Sequence, residues 1–434
     1  MKILLNIFLL VLLTGMLLAQ NNSAYISDVY SKQVPHIDKN GNILTKYDEK
    51  KSFFPIAMWG VPTSEEVYGK TYNWNILKKA GYNTVWPWPS ENRVAQLDKG
   101  AEYGFQVVLM NPISDESLPL INNHPNLLGN CWRDEPIGQL GPKMQSIFDD
   151  FTQYKDKAKK LAPKLKVFVN DAPWITEPAT EWWIKWNKAG DISCHDSYPV
   201  YNKDGEAARS LGTGINMPAS MNLAVSSTDE KMPVWLIVGA FTQPNEYGNS
   251  YPFRHPTPNQ LRSCVYTAIE HGATGITYFI WDSYISREGQ CIGMSPDPQT
   301  DMGNGDSKYV IAKPIDLINA KANWEMATQI NRELKELAPI ILTPTDTKTQ
   351  FTVKITGKGV TEQPIHCMLK KDPEGGWILF TTNIDASFLK VEYTFMTSIT
   401  EAKALYENQK PLTVENDTFS LSYEPFETHI IKIK

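Results

Sequence analysis

Eight short apolar runs, each closing in polar or aromatic residues and each followed by an amphipathic stretch, organise most of the chain. They are FFPIAMWG (53–60), YNTVWPWP (82–89), FQVVLMNP (105–112), NLLGNCWRDEP (126–136), LKVFVNDAPW (165–174), DISCHDSYP (191–199), PVWLIVGAF (233–241) and ATGITYFIWD (273–282). Between them lie helical patterns such as WNILKKAG (74–81), MQSIFDDFTQYKDKAKKLAP (144–163), TEWWIKWNKAG (180–190) and TPNQLRSCVYTAIEHGA (257–273). Several of these meet glycine near their ends, as a helix C-terminus often does. PIDLINAKANWEMATQINRELKELAP (314–339) predicts the last helix. Continuous apolar strands separated by helices predict a parallel sheet covered by helices, and eight such units fit a (β/α)8 TIM barrel. A doubly wound sheet would usually carry a Gly-rich phosphate loop after its first strand, where this chain reads MWGVPTSEE.

Near residue 340 the period changes. TQFTVKITGKG, IHCMLKKD, GWILFTTNID, LKVEYTFMT, AKALYENQKPL and FETHIIKIK alternate apolar and polar positions with turns between them. That pattern predicts a small antiparallel β-sandwich. The expected organisation is a barrel over 20–339 and an accessory sandwich over 340–434, a division that a chain of 434 residues readily accommodates. Ahead of both, Lys2, the apolar run from Ile3 to Leu18 and Ala19 predict a signal peptide over 1–19 and a secreted or periplasmic protein. The run is short for a bilayer span, so no permanent membrane insertion is expected.

Composition narrows the partners. The formal net charge is −6 and no long basic run is present, which argues against nucleic acid. The five cysteines are odd in number and their spacing fits no metal site, so neither a metal nor a cofactor is expected. Asp297, Asp301, Asn304 and Asp306 cluster after the eighth run without the spacing of an EF-hand, and read as a solvated loop.

In a barrel the chemistry sits at the C-terminal ends of the strands. Read in order, those ends carry Trp59, Trp86 and Trp88, Asn111, Asp134 with Glu135, Asn170 with Asp171 and Trp174, His195 with Asp196 and Tyr198, Phe241 with Gln243, and Tyr278 with Trp281 and Asp282. Aromatic faces stack on the C–H faces of pyranose rings, while amides and carboxylates satisfy hydroxyls. The candidate substrate-binding residues are therefore Trp59, Trp86, Trp88, Asn111, Asp171, Tyr198, Gln243, Tyr278, Trp281 and Asp282, and the expected partner is a carbohydrate. His195 has no second histidine at ligand spacing and reads as structural.

Cleaving a glycosidic bond requires a proton donor on the leaving oxygen and a second anionic or basic group near the anomeric carbon. Glu135 is the donor candidate, because Pro136 ends the strand there and aromatic surroundings would raise its pKa. Asp134 and Glu135 could also serve as an acidic first turn of a helix. HPNLLGNCWRDEP, HDSYP, PVWLIVGAFTQ and RHPTPNQLRSCVYTAIEHGATGITYF, with the C-terminal sandwich, resemble exported bacterial barrel proteins of the retaining glycoside hydrolase type over most of residues 50 to 434. The resemblance implies glycoside hydrolysis with Glu135 as acid/base. It also implies a nucleophilic Glu at the end of strand seven, where this chain instead reads VWLIVGAFTQ, with Gly239 and Gln243.

Three readings fill that gap. Asp196 or Asp282 could be the base of an inverting reaction, Glu246 could be a displaced nucleophile, or Asp134 and Glu135 together could run substrate-assisted cleavage of an N-acetylated sugar. The last needs the strand to break at Asp134, because consecutive strand residues face opposite ways. The catalytic candidates are thus Glu135, Asp134, Asp196 and Glu246. The alternative function is a non-catalytic glycan-binding protein that has lost its nucleophile.

Overall fold

The computed structural model describes residues 23–434 apart from 64–65, 68–69, 72–73, 137–142, 174–178, 201, 204–205, 208–210, 213–215, 244–252, 287–288, 296–312 and 408–410. Eight parallel strands close into a barrel in chain order: β1 (Ile56–Val61), β2 (Thr84–Pro87), β3 (Gln106–Met110), β4 (Leu127–Asp134), β5 (Val167–Asp171), β6 (Ser193–Ser197), β7 (Val234–Gly239) and β8 (Gly275–Phe279). A helix follows each strand: α1 (Trp74–Lys79), α2 (Arg93–Tyr103), α3 (Leu118–Ile121), α4 (Met144–Leu161), α5 (Ala179–Ala189), α6 (Met217–Ser227), α7 (Pro258–Glu270) and α8 (Pro314–Ile341). The last helix runs to Ile341, past Pro339, where the sequence pattern placed its end. The predicted (β/α)8 barrel is the observed fold. No helix among the described residues is long and apolar enough to cross a membrane.

The strands read as unbroken apolar runs because both of their faces are buried. One alternate set, including Ala57, Trp86, Val108, Leu128, Phe168 and Ile237, fills the barrel interior. The other, including Met58, Val85, Leu109, Val169 and Leu236, packs beneath the helices. This two-residue alternation decides which strand-end side chains can reach the mouth.

The C-terminal strands form two packed sheets, as the period-two pattern predicts. Strands β9 (Phe351–Thr356), β12 (Leu389–Phe395) and β15 (Thr418–Tyr423) make one sheet. The other contains β10 (Ile365–Lys371), β11 (Trp377–Asn383), β13 (Ala402–Ala404), β14 (Pro411–Leu412) and β16 (Thr428–Ile433). Its edge is completed by Ala24–Ile26, which pairs in parallel with Ile365, His366 and Cys367. A strand of three residues carries no periodicity to read, and its place is decided by the unpaired backbone groups of β10.

Buried polar contacts join sandwich to barrel. Arg262 on α7 donates through Nε to the Thr428 carbonyl on β16 at 3.5 Å, while within the barrel it pairs with Glu333 on α8 at 2.6 Å, a carboxylate to which the Tyr266 hydroxyl also donates. Thr382 on β11 donates to Glu270 at 2.8 Å, and the rings of His271 and His366 hydrogen-bond at 2.7 Å. All five cysteines are free and buried.

Candidate active site

The end of β4 is irregular. Cys131 pairs with Phe168 and Asp134 with Asn170, so β4 carries an extra residue between these two registers. Such a bulge rotates the residues beyond it. Glu135 then adopts a left-handed backbone with φ +44°, a conformation that costs a non-glycine residue on the order of 1 kcal/mol. Its N–H donates to the Asn170 carbonyl at 2.8 Å, which holds the strained turn against β5. Pro136 is buried immediately after it. The break at Asp134 is therefore present, and it brings Asp134 into the inward series despite the outward-facing Trp132 before it.

Asn170 ties the acids together. Its one amide nitrogen donates to Asp134 Oδ1 at 2.8 Å and to Asp196 Oδ1 at 2.9 Å. Asn170 and Asp196 are buried, while Asp134 and Glu135 are exposed to the mouth. Depth in the mouth, tempered by the water that reaches Asp134, and the neighbouring Glu135 charge push its carboxyl up to about 7, against the lowering pull of the Asn170 amide. Burial, followed by the charges of Glu135 and Asp134, holds the Asp196 carboxyl well above the usual carboxylate range. Groups this close lose their protons as a set, and the cluster keeps a proton near neutral pH.

Asn170→Ala removes the contact that favours the ionised form of Asp134. The limb of a pH–rate profile set by Asp134, near pH 7 in the parent protein, is expected to move to higher pH. An NMR titration of the Asp134 carboxyl checks the sign, and a shift to lower pH would contradict the arrangement.

The remaining strand-end residues divide by the face they occupy. Trp59 and Trp86 belong to the barrel interior, 2% and 0% exposed, and stack on each other with ring centroids 4.6 Å apart. Trp281 packs on the outer side against Trp324, with centroids 5.1 Å apart, and Tyr278 is wholly buried edge-on to Tyr82. None of the four presents a face to the mouth, because each lies below the rim or on the helix-facing side of the wall. Of the expected tryptophan platforms, Trp88 alone is half-buried.

Asn111 is exposed at the end of β3 with φ +65°, and its N–H bonds the Cys131 carbonyl at 2.9 Å. Asp171 follows Asn170 at the next outward position, buried beside α5, whose Trp183 indole N–H donates to the Asp171 carbonyl at 3.4 Å. Asp282 is buried and accepts the Ser283 N–H at 2.9 Å. Gln243 is buried and bonded to Phe253 through its backbone. Glu246 and Trp174 lie outside the described residues, as do Asp297, Asp301, Asn304 and Asp306. His195 faces the helices, bonded to Ser220 at 3.2 Å, and burial lowers its pKa to about 3, which fits a structural histidine.

Strand seven is closed to a carboxylate at its inward end. A β-carbon on Gly239 would stand 2.8 Å from Tyr198 Cδ1 and 3.3 Å from Phe241 Cε1. Tyr198, Phe241, Phe253 and Phe279 instead form an aromatic wall, each ring within 5.7 Å of another. Phe253 and Phe279 were not among the candidates. Phe253 comes from a loop with no strand signal, and Phe279 could have been found by taking the inward neighbour of Tyr278.

No protein-family model matches the chain, and no curated protein matches it. Solved structures do. One, described as a glycoside hydrolase, superposes with a TM-score of 0.54 over 94% of this chain and 98% of its own, at 12% identity. A glycoside hydrolase family 5 protein from Bacteroides vulgatus superposes with a TM-score of 0.51 over 92% of this chain and 93% of its own, also at 12% identity. The likeness is one of fold: a (β/α)8 barrel with a C-terminal β domain.

Proposed function

We propose that the chain is a glycoside hydrolase acting on an oligo- or polysaccharide, with Glu135 as general acid/base and Asp196 as the second carboxyl of the reaction. Its expected place of action is outside the cytoplasm, from the signal-like residues 1–19. The observation that carries this reading is the set of acids at the C-terminal mouth, Asp134, Glu135 and Asp196, with Asn170 donating to two of them. Glycoside cleavage needs one carboxyl that still holds a proton and another group that steadies or activates the opposite side of the anomeric carbon. Clustered acids supply that asymmetry, since they do not all ionise together near neutral pH. The cluster shares the retained proton, and Glu135, exposed to the mouth, delivers it to the departing glycosidic oxygen. Asp134 orients it, and Asp196 acts from β6, where the retaining pattern would have used β7.

A glycan-binding protein without catalysis is the second reading, favoured by the closed end of strand seven at Gly239. Against it stands the strain at Glu135 and the crowding of like charges, which sugar binding alone does not require.

Hydrolysis of a panel of aryl glycosides and polysaccharides tests the proposal, with anomeric configuration of the product followed by proton NMR. Asp196→Asn is expected to reduce turnover by about 10²-fold or more while leaving glycan affinity intact. Full activity in that variant would remove Asp196 from the reaction, and no turnover of any glycoside would favour the binding reading.

A further inference from the structure

Beyond the aromatic wall lies a cation that the acid cluster does not use. Arg254 follows Phe253 in the loop between β7 and α7 and is half-buried. Among the described residues its guanidinium makes one hydrogen bond, from Nη1 to the His255 carbonyl at 3.0 Å, out of the five N–H donors such a group carries. Among the described residues no carboxylate pairs with it. Burial lowers its pKa. Nor is Arg254 among the charges acting on Asp134 and Asp196. A guanidinium partly withdrawn from water gains when an anion arrives to meet its remaining donors.

The surroundings indicate where such an anion would come from. Arg254 stands at the edge of a small recess, open to solvent, whose lining includes Tyr198, Val200, Gly239, Phe241, Phe253 and Cys264. Tyr198 lies just beyond Asp196 on the same stretch of chain, and Gly239 ends the neighbouring strand. The recess therefore lies at the ends of β6 and β7, the first of which carries Asp196. The absence of a side chain at Gly239 helps to keep it open. The negative charge that the acid cluster carries repels an anionic ligand, so a cation at one edge attracts the charged group and turns it away from the cluster.

We propose that the Arg254 recess receives an anionic substituent of the bound sugar, which makes the substrate an acidic glycan rather than a neutral one. This rests on the glycoside hydrolase reading for its substrate, but the recess can be tested by binding alone. A planar carboxylate of a hexuronic acid matches the two-pronged guanidinium, and a sulfate ester offers the same charge and acceptors.

Calorimetry on the Glu135→Gln protein, whose turnover is expected to be much reduced, distinguishes the sources with three matched oligosaccharides. One carries hexuronic acid, one is its carboxyl-reduced neutral form, and one is the neutral form bearing O-sulfate. The carboxylated or the sulfated probe should bind about tenfold more tightly than the neutral one, an advantage that shrinks as salt is raised. Whichever anion leads identifies the substituent. Adding Arg254→Ala should bring the ratio of anionic to neutral affinity near one, and Arg254→Lys should restore part of it. A residue that only ties its loop to His255 would lower both affinities together.

Equal binding of the three probes, no binding of any of them, or a preference that survives Arg254→Ala overturns the inference. Should Arg254→Ala fail to fold, the salt dependence and the lysine variant still decide. Glu135-dependent hydrolysis of neutral glycosides without anionic preference would sink this inference alone. Anionic preference without hydrolysis of any glycoside by the parent protein would sink the proposed activity and leave the recess in place.

Discussion

Glu135→Gln is expected to leave glycan binding in place and to reduce turnover by about 10²- to 10⁴-fold on a substrate with a poor leaving group. The substitution keeps the shape of the side chain and removes its ionisable proton. A substrate whose leaving group is a good one needs less protonation, so its loss should be smaller by a clear margin. That contrast separates a proton donor from a residue that merely shapes the end of β4. The geometry makes the second possibility a serious one, since Glu135 has φ +44° and its N–H is bonded to the Asn170 carbonyl. A structural residue would lose both substrates alike and lower the melting temperature. The measurement is the ratio of mutant to parental turnover on the two substrates, read beside a thermal melt. Equal losses with a lowered melting temperature would return Glu135 to a structural role.

Trp86→Ala should destabilise the fold by about 3 to 5 kcal/mol, the range for removing a large aromatic from a packed core. Trp86 is wholly buried, stacked on Trp59 and edge-on to Phe168 with centroids 5.7 Å apart. A sugar platform would behave differently, losing affinity while the melting temperature held. The test is a denaturant or thermal unfolding curve together with glycan affinity measured where the variant is still folded. Unchanged stability with affinity lost about fivefold or more would show that the ring meets a ligand after all.

The two variants separate what was legible in the chain from what was not. The barrel was legible because each parallel strand is buried on both faces and is therefore apolar without interruption, and because helices with polar outer faces follow each one. The sandwich was legible by its period of two. Acids at the end of β4 were legible because nothing in strand packing calls for Asp134, Glu135 and Pro136 together. Trp59, Trp86 and Trp281 are buried although they stand near strand ends, because nearness to a strand end along the chain is not access to the mouth. Access depends on which side of the wall the residue takes and how far the rim lies above it. Trp86 and Trp281 both fall near strand ends, one pointing into the barrel and the other under α8, where Trp324 meets it.

By itself the sequence determined the class of fold, the order of its strands, the change of architecture near residue 340, and the presence of a donor candidate at Glu135. These follow from local patterns of apolar and polar residues, which need no partner from elsewhere in the chain to be read. Only the tertiary structure decided that one amide, Asn170, holds Asp134 and Asp196, and that the N-terminal strand Ala24–Ile26 completes the C-terminal sheet. It also decided that Tyr198 and Phe241 occupy the space a strand-seven acid would need at Gly239. Each of these joins residues far apart in the chain: barrel closure, with the irregular register at the end of β4, brings the barrel residues together, and sheet pairing does so for Ala24–Ile26.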